Sequence, residues 1–251
     1  MWARVFCVAV LVCGCATCGW AEDYLNAASG ERLAGSSEQV GLWWTSSGWK
    51  IGRDRDLPQA QGKAVVIRAA RNEAEAAQLV IRPKAALKGL VVTPGALTGP
   101  SVATLPATCV EILEVRYVNI TQPTDKSAVA GYWPDPLPPL EGPLDLEAGK
   151  NQPFWVRVHV PRDAKAGLYE GSLKVAAAGF NTIVPLRVEV YDFELPNRMT
   201  CVTAFGFSDD LAYRYQGVTD ERQKREVLDK YWANYSAHHI STYDLAPLDP
   251  I

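Results

Sequence analysis

Three segments in the second half of the chain constrain its fold more than any other feature: PFWVRVHVP (153–161), GLYEGSLKV (167–175) and TIVPLRVEV (182–190). In the first, Phe154, Val156, Val158 and Val160 share one face and Trp155, Arg157 and His159 the other. The second aligns Tyr169, Gly171, Leu173 and Val175; the third aligns Val184, Leu186, Val188 and Val190. Successive side chains of a strand point to opposite faces, so a period of two predicts half-buried strands. PRDAKAG (161–167) supplies turn chemistry between the first two. Pro185 has no N–H to give a ladder and predicts an edge position for the third. Earlier come two short β-branched runs, AVVIRAA (64–70) and QLVIRP (78–83). A longer one, CVEILEVRYVNI (109–120), changes phase near Leu113 and predicts a bulge. About seven to nine short antiparallel strands without helical spacers make an immunoglobulin-like β-sandwich. The fold class is mainly β.

One stretch breaks this pattern. Between Thr121 and Gln152 no strand or helix is readable, and YWPDPLPPLEGP (132–143) is dense in proline. Structureless loops beyond ~15 residues are uncommon in compact domains. Tyr132, Trp133 and Leu137 are costly to leave in water. The 121–152 loop is therefore expected to act as an arm packing on a neighbouring domain.

After YDFELPN the periodicity changes. MTCVTAFGF (199–207) reads as a short apolar strand, SDDLAYRYQGV (208–218) as a loop, and 220–237 as a helix. Asp220 with Gln223 resembles a capping box. Glu221 with Arg225 and Glu226 with Lys230 stand at the favourable i,i+4 spacing. Val227, Tyr231 and Tyr235, flanked by Leu228 and Trp232, make a stripe to be buried. HHIS then leads into another short strand. Strand–loop–helix–strand opens either a (β/α)8 barrel or a doubly wound sheet. A barrel needs ~250 residues, whereas only 55 run from Asn197 to Ile251. The segment is expected to be the first βα unit of a truncated (β/α)8 barrel.

The N-terminus reads as an export signal: MWAR, an apolar stretch too short to span a bilayer, then small residues at Gly19 and Ala21. Cleavage is expected near Ala21, with a lipoprotein lipidated at Cys15 as the alternative. The domain plan is thus signal 1–21, sandwich 22–196 and barrel start 197–251, with no membrane span. Cys7, Cys13, Cys15 and Cys18 would leave with the signal, so Cys109 and Cys201 remain, either paired or as free thiols. No Cys or His spacing resembles a zinc site, and no metal or cofactor is expected. Net charge is −3 with scattered basic residues, which gives no attraction for nucleic acid or an anionic membrane.

Candidate chemistry gathers at the end of the chain. Asp209 and Asp210 follow the first strand of that segment, and Tyr243 and Asp244 hold the equivalent place after the second. Barrel enzymes place their sites at those strand ends, and carboxylates there bind sugar hydroxyls or do acid/base work. The structural alternative is that Asp after a strand caps a turn or a helix. His238 and His239, adjacent at a helix end, read as a C-terminal cap, since neighbours cannot both face one ligand. No GxSxG, Walker loop, GxGxxG or HExxH motif occurs.

Several segments together resemble glycoside hydrolase family 123: ARNEAEAAQLVIRP, YWPDPLPPL, NQPFWVRVHVPRDAKAGLYEGSLKV and VEVYDFELP resemble its N-terminal sandwich. KYWANYSAHHISTYDLAPLDPI resembles the start of the barrel that follows. The resemblance implies an exported bacterial hydrolase that removes β-linked N-acetylgalactosamine from a glycan substrate by a retaining, substrate-assisted mechanism. It also implies a catalytic Asp-Glu pair deeper in the barrel, expected downstream of Ile251. No residue of this chain is then assigned to catalysis. Asp209, Asp210, Tyr243 and Asp244 are the substrate-binding candidates, and the 121–152 arm is expected to pack on the missing barrel. The rivals are a carbohydrate-binding module whose Trp43, Trp44, Trp49 and Trp133 stack on sugar rings, and a structural cell-surface sandwich.

Overall fold

The computed structural model describes residues 24–124, 129–198, 201 and 203–241. The signal segment 1–21 lies outside them. Described residues up to Phe193 form one compact unit and those from Glu194 a second.

In chain order the first strands are β1 (Glu31–Leu33), β2 (Val40–Ser46), β3 (Gln61–Gly62), β4 (Val65–Arg71), β5 (Glu73–Pro83), β6 (Leu87–Pro94), β7 (Leu97–Thr98) and β8 (Thr104–Leu105). They continue with β9 (Val110–Glu114), β10 (Tyr117–Ile120), β11 (Gly131–Pro134), β12 (Leu144–Leu146), β13 (Gln152–Val160), β14 (Gly167–Ala177) and β15 (Phe180–Glu194). One sheet has the order β3-β1-β2-β5-β13-β9 and the other β12-β6-β14-β15-β4, with β7 beside β14 and β8 beside β7. β10 and β11 make a separate ribbon.

The two sheets bury one core between them. Phe154, Val156, Val158 and Val160 of β13 are fully buried and belong to the same cluster as Leu173 and Val175 of β14 and Val184, Leu186 and Val188 of β15. These are the inward faces that the period of two predicts. Burying each such side chain stabilises the fold by about 1.5–3 kcal/mol. β5 differs because it lies between β2 and β13 and is buried on both faces. Ala77, Leu79 and Ile81 enter the main core, while Val80 joins Trp43 and Ile51 in a second, smaller one. That second core forms because the segment after β2 folds back over the sheet's outer face. Gln78, also on that face, is 2% exposed and donates to the carbonyls of Ser46 (3.2 Å) and Trp49 (2.7 Å).

Three expectations change in the first unit. CVEILEVRYVNI holds no bulge: the chain leaves the sheet after Glu114, and Tyr117–Ile120 pairs instead with Gly131–Pro134. Pro185 is not on an edge strand, for β15 lies between β14 and β4. It sits opposite Ser172, while the ion pairs to β4, Arg68–Glu189 and Arg71–Asp192, lie beyond it. The 121–152 stretch is not without strands, since it contains β11 and β12.

Its proline run has a definite place too. Glu114 and Arg116 donate to the carbonyls of Pro138 (2.9 Å) and Pro136 (3.0 Å), and Leu140 donates to Ile112 (3.3 Å). Prolines cannot donate, but their carbonyls accept, so the run covers the edge strand β9 without becoming a full new edge itself.

In the second unit, α1 (Asp209–Gln216) and α2 (Glu221–Ala237) are helices. The expected strand 199–207 reduces, among the described residues, to an isolated bridge at Phe205, whose N–H donates to Ser241 O at 2.9 Å. The expected loop 208–218 is mostly helix. Ser208 caps it by accepting from Leu211 N (3.4 Å), and Gly217 ends it in a left-handed conformation at φ 65°. Among its residues only Ala212 is buried, so no apolar stripe advertises the helix.

Candidate functional site

α2 is set by its ends. The Asp220 side chain accepts from Arg222 N (3.0 Å) and Gln223 N (3.1 Å), and Ile240 N closes the other end on Tyr235 O at 2.9 Å. His238 holds the C-cap, and its Nδ1 lies 2.8 Å from Asn234 O. The ion pairs differ from the expected ones: Glu221 pairs with Lys224 (2.7 Å), Arg225 with Asp229 (3.0 Å) and Glu226 with Arg222 (3.8 Å). The anticipated stripe is real. Phe207 packs on Tyr231, Trp232 and Tyr235 at centroid distances of 5.2, 4.8 and 6.0 Å. Val227, Tyr231 and Tyr235 also line an apolar groove of about 400 Å³.

Asp209 and Asp210 occupy the first turn of α1, where the helix dipole favours negative charge. Asp209 is half-buried and Asp210 exposed. Lys224 Nζ stands 5.3 Å from the Tyr213 ring centroid. Burial, then the charge of Asp209, pushes the Tyr213 phenol up, with Glu221 and Asp210 adding to it. The hydrogen bond that Lys224 donates to Glu221 holds its ammonium above its ordinary value. Two helices thus converge a carboxylate-rich polar group able to bind hydroxyls. Tyr243 and Asp244 lie outside the described residues.

The sequence contains a single Asp-Glu step, Asp220-Glu221. Both carboxylates serve local structure, Asp220 as the cap of α2 and Glu221 as the partner of Lys224. Among the described residues no three His, Cys, Asp or Glu side chains group so as to hold a metal ion.

A second cleft, of about 260 Å³, lies in the first unit. The Arg53 guanidinium stands 4.7 Å from the Tyr132 centroid and 5.5 Å from that of Tyr117, and Arg53 pairs with Glu147 at 2.7 Å. Tyr117 donates to Ile51 O at 2.8 Å; burial pushes its phenol well above the ordinary value, against the opposing pull of Arg53. Asn151, 2% exposed, donates to Gly52 O (3.0 Å) and Arg55 O (2.7 Å) and fixes the segment that carries Arg53. This cleft escapes sequence reasoning because its walls are ~100 residues apart and share no local pattern. The tryptophans read as sugar platforms fare differently. Trp43 is fully buried, under the Arg55 guanidinium at 4.6 Å, and Trp44 is tied to Glu31 at 3.1 Å.

The family model described as the glycoside hydrolase 123 N-terminal domain matches residues 44–177. Among solved structures, a family 123 glycoside hydrolase from Clostridium perfringens, analysed for the details of glycolipid glycan hydrolysis, is similar at 16% identity and a TM-score of 0.66. The match covers 80% of this chain and 37% of that one, and at this identity it speaks for the fold. The CooA pilin subunit from enterotoxigenic Escherichia coli matches at 13% identity over 63% of this chain and 99% of its own, with a TM-score of 0.33 too low to carry an argument. A search of curated protein sequences finds no match.

Proposed function

The chain belongs to glycoside hydrolase family 123, and from that membership we propose that it forms the N-terminal part of an exported hydrolase of N-acetylhexosamine-containing, β-N-acetylgalactosaminide-like glycans. The observation that carries this reading is the family match over 44–177, followed by a separate unit with two capped helices. A (β/α)8 catalytic barrel continues from Asn197 onward in this proposal, and the leader ends near Ala21. Among the described residues no helix is long and apolar enough to cross a membrane.

The reaction proposed is retaining and substrate-assisted. The sugar's acetamido oxygen attacks its own anomeric carbon, so the nucleophile arrives already positioned. The protein then has to orient the acetamide with one carboxylate and protonate the leaving oxygen with another of raised pKa. Both belong, in this reading, outside the 251 residues. Support comes from the engaged state of Asp220 and Glu221 and from the 37% coverage of the C. perfringens enzyme. Asp209, Asp210, Tyr243 and Asp244 are assigned to substrate hydroxyls. The 121–152 arm is assigned to domain packing through the side bearing Leu137, which lines a hollow of about 220 Å³ with Trp49 and Trp155.

The test is turnover of 4-nitrophenyl N-acetyl-β-galactosaminide. The 251-residue chain should give no release above buffer, while a protein extended by the reading frame beyond Ile251 should hydrolyse it with retention. Turnover by the 251 residues alone would overturn the assignment of catalysis elsewhere. Absence of turnover in the extended protein would overturn the substrate.

A further inference from the structure

The cleft of the first unit has the composition of a binding site that the catalytic reading does not use. Three cations, Arg53, Arg116 and Lys150, and three anions, Glu114, Asp145 and Glu147, line it. Every one of them is already paired: Arg53 with Glu147, Arg116 with Glu114, Asp145 with Lys88 and Lys150 with Asp54. With three cations balanced by three anions and each one paired, the lining offers a charged ligand no net Coulomb attraction. A lipid or other apolar ligand finds no apolar wall beyond Leu146 and the tyrosine rings. A neutral polyol meets neither obstacle, because a carboxylate engaged by one cation keeps lone pairs for hydroxyl donors, and a guanidinium has N–H donors for more than one hydroxyl oxygen.

The second observation is the aromatic wall. Tyr132 is 48% exposed, yet its ring is held by Arg53 on one side and its backbone by the β10–β11 ladder opposite Asn119. The Arg53 segment is pinned in turn by Asn151 and by the Tyr117 hydroxyl on Ile51 O. An exposed ring that is already immobile loses little entropy when a ligand stacks on it. At about 260 Å³ the space is below the ~300–1,000 Å³ typical of drug-sized ligands, so it suits one ring rather than an extended chain.

We infer that this cleft is a carbohydrate subsite of the β-sandwich, taking one neutral pyranose with its apolar face on Tyr132 and its hydroxyls toward the Glu147–Arg53 and Glu114–Arg116 pairs. The choice of a sugar among neutral polyols rests on the glycan-directed reading above. The subsite is separate from hydrolysis: its role is to hold substrate while the catalytic groups act elsewhere.

The experiment is saturation-transfer NMR and calorimetry on the 251-residue chain. The probes are methyl N-acetyl-β-galactosaminide, methyl β-glucopyranoside and inorganic phosphate. The expected result is saturable, millimolar binding of at least one glycoside and none of phosphate. Tyr132→Ala should weaken that binding by about tenfold and Tyr132→Phe should leave it within about twofold, since stacking needs the ring and not the hydroxyl. In the parent chain the amides of Arg53, Tyr132 and Lys150 should shift on titration, a readout that stands even where the alanine variant does not fold. No saturable glycoside binding, unchanged affinity in Tyr132→Ala, or phosphate binding in the cleft would each overturn the subsite. Glycoside binding by the 251 residues beside an inactive extended protein would sink the hydrolase reading alone; turnover without such binding would sink the subsite alone.

Discussion

At the scale of single residues, Tyr117 shows how a polar group is put to structural use. Its hydroxyl donates to Ile51 O at 2.8 Å, and burial pushes its phenol upward in the folded chain. The unfolded phenol ionises near pH ~10. Ionisation is thus disfavoured only in the folded state, so this tyrosine's contribution is complete below that pH and lost as pH climbs above it. Tyr117→Phe should cost about 1 kcal/mol at neutral pH through the missing hydrogen bond. It should also flatten the alkaline loss, so that the urea midpoints of parent and variant converge between pH ~9 and ~11.5. Parallel loss in the two proteins would mean that another group governs the alkaline limb. Little of this was legible in the sequence, where Tyr117 is one position in a β-branched run. Its partner lies 66 residues away, and Asn151 reaches Gly52 across 99.

At the scale of elements, legibility follows how far an element's period is used to bury it. β13, β14 and β15 could be read because one face of each is sealed in the core. The run 109–120 could not be read correctly, since its phase change marks a passage between two sheets, and local alternation is the same for a bulge and an exit. The strands inside 121–152 were hidden because they are only three or four residues long and pair with distant partners, Gly131–Pro134 with β10 and Leu144–Leu146 with β6. α1 escaped because its helix is specified by its ends and not by a stripe. That origin is testable. Gly217 lies at φ 65° with its N–H on Arg214 O at 3.3 Å, and an alanine forced into that conformation costs about 1 kcal/mol. Gly217→Ala should therefore reduce amide protection across Ala212–Gln216 about fivefold, leaving β13–β15 unchanged. Equal protection in the variant would show that α1 does not depend on its C-terminal glycine.

At the scale of the whole molecule, the two units differ in whether each owns a core. All residues of the main core fall between Leu33 and Val190, and the smaller core of Trp43, Ile51 and Val80 lies within the same span. Beyond Asn197 the buried apolar side chains among the described residues are Ala212 and Leu228. Two such side chains give only a few kcal/mol at about 1.5–3 kcal/mol for a large one. The described part of the second unit thus shows little apolar burial to set against the ordering of its chain. The same stripe of Val227, Tyr231 and Tyr235 that was read from the sequence as needing a partner is what lines the open groove on α2. A peptide of residues 24–197 should accordingly unfold in urea as one cooperative transition, with near-UV signal from Trp43 and Tyr169 lost at the same midpoint as the far-UV β signal. A peptide of residues 198–251 should show partial helicity with no cooperative transition, rising with trifluoroethanol. A sharp transition in the shorter peptide would mean that its groove is closed by its own residues, and the proposal of a barrel built onto it would lose its physical motive.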